Sequence, residues 1–415
     1  MMKQKINCIL LAALFIFPPV INAQEKVKSL QECIREAVEN NLSIKSGKIA
    51  VKQAEDLQGT AFNIDPTTVS LSQDPTSGGS PDNSFSLSQS FDFPTVYFSR
   101  RSRLKAETGL ERSRLEVTRN ELVKQISSIY YQLLYAKENI RILQEQDSIY
   151  DHFAGTATAR FKAGETNRLE PMNAERLCSE NKMELQKAEK NYQNIQLNLQ
   201  RWMNSDEWIT PAESTLPVIE PLDGSNDFNP EQTPLNRVFE SKKTAGEKNL
   251  NLTRQGFLPT FNIALRSQYL IPGFNPYHIT RNRFDKGNCM GFEIGISLPL
   301  FFGEQRAKVR AAKREIAIIT LRQEETLNSL NKEYQIVMND YRKAKNVLDY
   351  YRTQGKEQAH EINRISQLAY QKGEIDYPEY ILNLKTAIDL HLQYANAVND
   401  YNQTVITLNY LQGNQ

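Results

Sequence analysis

The chain has 415 residues and a formal net charge of +1, a balance that gives no reason to expect a nucleic-acid partner. Residues 1–23 have the pattern of a secretory signal peptide, with two lysines, an apolar run and a small-residue cleavage site. The mature chain is therefore expected to begin near Gln24, outside the cytoplasm. It would carry a net charge of −1, since the signal segment contains two lysines and no acidic residue.

Metal-binding and cofactor chemistry find no support in the sequence. Scaffolds built on disulfides use even sets of cysteines, so an odd set of three in the mature chain indicates buried or unpaired thiols. The histidines are scattered and lack metal-site spacing. Apart from the signal segment, no stretch is apolar enough for a membrane-spanning helix, so insertion into a membrane would need strands. The residues concerned are Cys33, Cys178, Cys289, His152, His278, His360 and His391.

The first predicted element is a helix that begins at a capping box. Ser29 supplies the hydroxyl at the N-cap and Glu32 the carboxylate three residues later, and we expect the helix to run to about Leu57. Two strands follow, over residues 68–73 and 84–93, joined by a polar loop. Each alternates with a period of two, so that one face is apolar and the other polar. Serines form the polar face of the second strand: Ser84, Ser86, Ser88 and Ser90.

A long helix follows Pro94 directly. Its apolar residues recur at spacings of three and four, the pattern of a coiled-coil seam. At 1.5 Å per residue, a helix from about Val96 to Phe161 would be roughly 100 Å long, several times the width of an ordinary domain. We expect a turn at Gly164 and a return helix to about Met203, which together make one long helical hairpin.

The second half repeats this order of elements. Thr233 is an N-cap followed by proline, and two further alternating strands lead through Pro299 into another long helix, which turns at Gly373 and returns to about Leu411. The alternating strands are predicted over residues 260–269 and 291–298, with a loop at 271–288. The sequence thus divides into a signal peptide (1–23), a first structural repeat (24–204), a linker or equatorial segment (205–232) and a second repeat (233–415).

The four strands are each about ten residues long, enough to cross a membrane when tilted. Four strands cannot close a barrel, and lipid does not tolerate an open edge, so the strands would have to be pooled among copies of the chain. Two copies would give eight strands and a filled interior, whereas three would give twelve and leave a bore. Periodicity alone does not choose, although the serine row favours a wet bore. A soluble sandwich with a serine-rich outer face is the alternative.

Several motifs resemble those of the TolC family of outer-membrane efflux channels, and the likeness covers nearly the whole mature chain. The N-terminal helix is similar to the family's signature, Ser297 to Phe301 is similar to its strand-exit motif, and two segments resemble its hairpin-tip motifs. The tip motifs are Phe161-Lys162-x-Gly164 followed by Glu170, and Tyr370-Gln371-x-Gly373 followed by Glu379. The helix signature comprises Leu30, Cys33, Ile34, Ala37, Val38 and Asn41.

The resemblance implies a mostly α fold with a β-barrel part. Three copies would pool their strands into a twelve-stranded barrel in the outer membrane, and their hairpins would form a helical barrel across the periplasm. It implies a passive conduit without catalysis, in contact with outer-membrane lipid, a periplasmic adaptor and an inner-membrane pump. A pump of the RND type is expected by general likeness, and the cargo stays open among drugs, metal cations and proteins, with a heavy-metal cation preferred. The alternative is a periplasmic coiled-coil adaptor or spacer that never enters a membrane.

In the family an acidic ring narrows the tunnel at its tip, and the matching residues here are Glu170 and Glu379. Stacked carboxylates in a narrow bore would attract cations. A second interpretation is purely structural, because Asn167 and Asp376 stand three residues earlier and each could begin a capping box.

The turns between the long helices are the other candidate site. Gly164 and Gly373 are expected to adopt positive φ angles. The resemblance adds that these turns contact the adaptor, together with Glu165 and Glu374. Pro94 and Pro299 are expected to mark the exits of the barrel strands.

Overall fold

The computed structural model describes residues 26–75, 81–222, 228–269 and 290–413. The signal segment, His278, Cys289 and the loop predicted over residues 271–288 lie outside these ranges. The helices are α1 (Leu30–Asn40), α2 (Leu42–Leu57), α3 (Pro94–Lys162), α4 (Leu169–Met203), α5 (Pro234–Gln255), α6 (Gly303–Tyr350), α7 (Lys356–Lys372) and α8 (Tyr377–Gln412). The strands are β1 (Lys26–Lys28), β2 (Thr68–Pro75), β3 (Pro81–Phe91), β4 (Ile209–Pro211), β5 (Thr260–Tyr269) and β6 (Met290–Ser297).

Four strands form one antiparallel sheet in the order β2-β3-β5-β6. Their registers align the alternating patterns, so that Leu87 lies opposite Val69 and Leu265, while Ser86 lies opposite Ser70 and Arg266. One face is therefore apolar and the other polar. The apolar face is uncovered in the single chain, where Phe292 is 77% exposed. The predicted amphipathic strands are confirmed.

The polar face is held partly by its own serines. The hydroxyls of Ser70 and Ser86 are 2.6 Å apart, and those of Ser72 and Ser84 are 2.7 Å apart. Gln89 is the polar exception on the apolar face. Its side chain bonds to the hydroxyl of Thr67 and the carbonyl of Asp65, which satisfies the amide at the end of the strand.

The sheet continues directly into the long helices. Pro94 occupies the first turn of α3, where its missing N–H would have no helical partner in any case. The 69 residues of α3 correspond to a length of roughly 100 Å. The return helix α4 packs along it, and α8 packs in the same way against α6 and α7. In the described ranges, no helix combines the length and the apolarity needed to cross a membrane.

Two predicted helices are interrupted. The helix expected to reach Leu57 unbroken divides at Asn41, whose ψ of 131° is not helical and whose side chain caps α2 by accepting from the amides of Ser43 and Ile44. The long helix of the second half widens into a π-helical turn over Tyr351–Gly355. There the ring of Tyr351 occupies the space beside Gly355, 2.7 Å from the place of an added Cβ. Both interruptions arise from side-chain contacts that spacing does not encode.

The described part of the segment between the two halves lies against the helices. β4 pairs in parallel with β1, which follows the predicted cleavage site. Lys28 is buried there, and its ammonium lies 2.6 Å from Glu36 and 2.7 Å from Glu207. Burial alone would lower the pKa of Lys28, but hydrogen bonds with Glu207 and Glu36 raise it. The hydrophobic core beside the sheet of β1 and β4 includes Ile126, Tyr130, Leu133, Leu199 and Met203.

Candidate functional site: the tips of the helical hairpins

The two hairpin turns have the same backbone geometry. Gly164 has a φ of 77° and Gly373 a φ of 73°, so the predicted positive φ angles are confirmed. The amide of Glu165 donates to the carbonyl of Arg160 at 2.9 Å, and that of Glu374 to the carbonyl of Ala369 at 2.8 Å. This bond, five residues back along the chain, closes a helix end around a left-handed glycine. Both turns are exposed.

A single arginine joins the two hairpins at their tips. Nη1 of Arg160, near the end of α3, lies 3.1 Å from Oε1 of Glu170 and donates to the hydroxyl of Tyr370 at 2.8 Å. Glu170 begins the return helix of the first hairpin, whereas Tyr370 belongs to α7 of the second. Glu165 lies further out, 3.6 Å from Nε of the same guanidinium. The tips are therefore coupled by a hydrogen bond as well as by packing.

Aromatic rings fill the space behind this arginine. Phe153 stacks on Tyr377 with ring centroids 4.5 Å apart, and Tyr370 stacks on Tyr380 at 4.7 Å. Burial, reinforced by the nearby Glu170 carboxylate, raises the pKa of Tyr377 to about 12. These rings form the core of the tip, so relative movement of the hairpins has to disturb stacked contacts.

Glu170 does not belong to a capping box. α4 begins at Leu169 with Arg168 as its N-cap, so Glu170 is the second helical residue, and Asn167 caps the amide of Leu169 instead. The Glu170 residue is only 8% exposed, and its carboxylate bonds to Arg160 and to the hydroxyl of Thr166. The capping-box interpretation of this residue was wrong, and its carboxylate is engaged inside the tip.

Glu379 differs from Glu170 in its position at the helix start and in its exposure. It is the third residue of α8, and its amide donates to Oδ1 of the N-cap Asp376 at 3.0 Å, which is half of a capping box. Its own carboxylate is exposed and forms no hydrogen bond or ion pair with any described residue. A free carboxylate near the turn can act on passing ions, whereas that of Glu170 is already neutralised by Arg160.

A groove of about 1200 Å³ separates the two tips. It is lined by Arg160 with its partners Glu170 and Tyr370, and by the second turn at Gly373. Its walls carry hydroxyl, amide and carboxylate groups as well as rings, a mixture suited to a polar protein contact. The walls include Thr156, Arg160, Asn173, Tyr370, Asp376 and Pro378.

The strand-exit prolines lie far from these tips and differ from each other. Pro94 is part of α3, whereas Pro299 lies in the irregular connection between β6 and α6. Near Pro94, Arg100 of α3 forms an ion pair with Asp92, which lies just past the end of β3. Nη2 of the arginine is 2.9 Å from Oδ2 of the aspartate. Phe301 is 94% exposed in that connection. An apolar ring so exposed fits the junction between a lipid-facing strand and a helix.

The other candidate ligands are dispersed. Cys33 and Cys178 are free and buried, as expected, and burial raises the pKa of the Cys33 thiol to about 12. His391 is partly buried on α8, and that burial lowers its pKa. In the part of the chain that the structure describes, no three His, Cys, Asp or Glu side chains come together as metal ligands would.

Sequence reasoning found the turns but missed the contact between them. Arg160 and Tyr370 are 210 residues apart and were not singled out as a pair. One signal was available: Tyr370 and Phe161 occupy equivalent places in the two tip motifs, so a basic residue beside one motif could have been tested against the other.

The fold that carries these tips is an amphipathic four-stranded sheet that runs directly into long paired helices. The model of the outer membrane efflux protein family matches residues 33–205. No curated protein sequence matches the chain. The match over residues 33–205 and the shared fold agree with the resemblance to the TolC family predicted from the motifs.

Several solved structures share the fold over most of the chain. CusC, studied for the conformational changes that accompany folding and transmembrane channel formation, has a TM-score of 0.78 at 15% identity over 94% of this chain and 93% of that one. The Campylobacter jejuni CmeC outer membrane channel has a TM-score of 0.74 at 17% identity over 92% and 85%. The open Neisseria gonorrhoeae MtrE outer membrane channel has a TM-score of 0.72 at 16% identity over 93% and 89%.

These likenesses bear on the sequence predictions in two ways. They confirm the predicted fold class, with long helical hairpins and four strands in each chain. The matched family is described as outer membrane efflux proteins and the structures similar in fold include outer membrane channels, which agrees with the prediction of a transport conduit.

Proposed function

We propose that the chain is the outer-membrane component of a tripartite efflux system. Three copies pool their strands into a twelve-stranded barrel, and their hairpins continue it as a helical tunnel across the periplasm. The tunnel tip docks a periplasmic adaptor, which links it to an inner-membrane pump. The channel is passive, since the pump supplies the energy.

The observation that carries this proposal is the sheet of four strands with two open edges. β2 and β6 are its outer strands, and each has a neighbour on one side only. Lipid cannot form hydrogen bonds with the unpaired backbone groups at a sheet edge. An apolar sheet of this kind therefore has to close with copies of itself. Three copies suit the polar face better than two, because small serines would line a water-filled bore but would fill an eight-stranded interior poorly.

The hairpin tips are the proposed docking surface. Gly164, Glu165, Gly373 and Glu374 form two exposed turns of the same geometry at one end of the molecule. Of the two acidic candidates, Glu379 is the one with a free carboxylate, and we assign it to the constriction of the tunnel. By general likeness to the family, the pump would be of the RND type and the cargo a heavy-metal cation.

The decisive experiment combines mass with conductance. The detergent-solubilised outer-membrane protein is measured by light scattering, corrected for bound detergent, and the same sample is reconstituted into planar bilayers. A trimer that conducts is expected. A chain that stays monodisperse without detergent and conducts nothing would overturn the proposal and return attention to a periplasmic spacer.

Docking is tested separately in cells. A photo-crosslinking amino acid is placed at position 165 or 374, and a matched variant carries it at position 182, an exposed site in the middle of α4. Crosslinks to a periplasmic protein with a long helical hairpin are expected from the tip positions only. Equal crosslinking from position 182 would contradict docking at the tip.

A further inference from the structure

The polar face of the sheet carries one pair of charges among the strand residues whose side chains are described. Nη2 of Arg266 on β5 lies 2.7 Å from Oε2 of Glu293 on β6. The remaining positions on this face are mainly serine, with threonine, alanine, asparagine and glycine. The strand residues concerned are 68–72, 84–91, 260–267 and 290–297.

The two side chains cross the sheet diagonally. Arg266 lies opposite Gly291, and Glu293 lies opposite Ala264. Neither of these neighbours has a side chain longer than a methyl group, so the guanidinium and the carboxylate can meet above the backbone. Diagonal pairs of opposite charge are within reach when the side chains are as long as these.

This pair also reaches furthest from the sheet. Arg266 and Glu293 are 64% and 47% exposed, while the facing serines Ser86 and Ser88 have a single hydroxyl beyond Cβ. In a barrel whose apolar face meets lipid, the polar face lines the bore. The long charged side chains would then project into the bore beyond the short serines around them.

We propose that the three Arg266 and Glu293 pairs of the trimer form a charge-neutral belt that keeps the outer-membrane end of the channel unselective between cations and anions. This inference rests on the proposed trimeric barrel. Rings of charged side chains govern which ions pass a pore. Because each chain contributes one cation and one anion, the belt narrows the bore without favouring ions of either sign.

The pairing predicts opposite effects when either charge is removed. Arg266→Gln leaves three unpaired carboxylates and should raise the permeability of potassium relative to chloride by at least about twofold. Glu293→Gln leaves three guanidinium groups and should lower the same ratio by a similar factor. The double variant R266Q/E293Q should return it to the wild-type value, and the charge-conserving Arg266→Lys should leave it unchanged.

The measurement is the reversal potential of single channels in a potassium chloride gradient, on variants whose trimeric mass has been verified. A tip constriction in series could mask the belt, so each variant is also measured with Glu379→Gln. Unchanged ratios for both single variants in both backgrounds would overturn the belt while leaving the channel itself intact. A wild-type protein that is not trimeric and does not conduct would instead overturn the proposed barrel.

Discussion

The guanidinium of Arg160 donates to the hydroxyl of Tyr370 and so ties the end of the first hairpin to the second. The same group neutralises Glu170, which is 8% exposed. We expect Arg160→Met to lower the free energy of local opening at the tip by about 1–3 kcal/mol, between the values for exposed and buried ion pairs. Hydrogen exchange of the amides at residues 161–170 measures this loss.

Two variants separate the charge from the hydroxyl bond. Tyr370→Phe keeps the ring and should cost less than Arg160→Met, because the ion pair with Glu170 survives. The double variant R160M/E170Q should be more stable than R160M alone, since it no longer buries an unpaired carboxylate. If the amides of R160M and R160M/E170Q exchange at the same rate as those of the wild type, the ion pair contributes nothing to the stability of the tip.

The strands and long helices could be predicted because the spacing of apolar residues in the sequence follows the period of each element. Alternation fixed the faces of β3, and the left-handed glycines Gly164 and Gly373 marked the turns. What escaped prediction depends on individual side-chain contacts, some of them local and one between distant residues. Asn41 ends a helix because its side chain caps the next one, and the π-helical turn at Tyr351–Gly355 reflects a ring packed beside a glycine. The bond between Arg160 and Tyr370 joins two halves whose packing no local pattern describes.

The constriction assigned to Glu379 predicts a change in ion selectivity. Glu379→Gln keeps the size of the side chain and the cap that Asp376 provides to the Glu379 amide, so helix stability should change little. If three carboxylates face the bore, their loss should lower the permeability of potassium relative to chloride by about twofold or more. Glu379→Asp retains the charge and serves as the control. A reversal potential equal to that of the wild type in E379Q would leave Glu379 as a helix-start residue only.

The π-helical turn predicts different outcomes for two glycines in long helices. In Gly355→Ala the new methyl group would lie 2.7 Å from Cδ1 of Tyr351, so we expect a loss of about 1–3 kcal/mol from overpacking. In Gly155→Ala nothing lies within 4 Å of the added Cβ, and alanine should stabilise α3 by about 0.5–1 kcal/mol. Chemical unfolding compares the two. A gain in stability from Gly355→Ala would mean that the turn relaxes into a regular helix without cost.

The half-buried His391 predicts a dependence of stability on pH. Burial lowers its pKa below the ordinary value of 6.5, so the unfolded chain binds the proton more readily than the folded one. Its contribution to stability is complete above pH 6.5 and is lost as the pH falls through the lower, folded pKa. His391→Gln should therefore lose less stability between about pH 7.5 and 5 than the wild type. His152→Gln, at an exposed position, should follow the wild-type curve, and identical curves for all three proteins would contradict the prediction.

Asn402 fastens the segment between the two halves to α8. It is fully buried, its Oδ1 accepts from the amide of Ile219 at 3.1 Å, and its Nδ2 donates to the carbonyl of Pro217 at 2.8 Å. Asn402→Leu conserves volume but leaves both backbone groups without partners, at a cost of about 1–3 kcal/mol for each group.

Limited proteolysis detects this loosening as faster cleavage within residues 205–232. Asn409→Leu is the matched control, since Asn409 accepts one bond, from the amide of Leu222, and is only partly buried. Its effect should be smaller, because water can replace a bond at a partly exposed site. If both variants are cleaved at the wild-type rate, apolar packing alone holds this segment to α8.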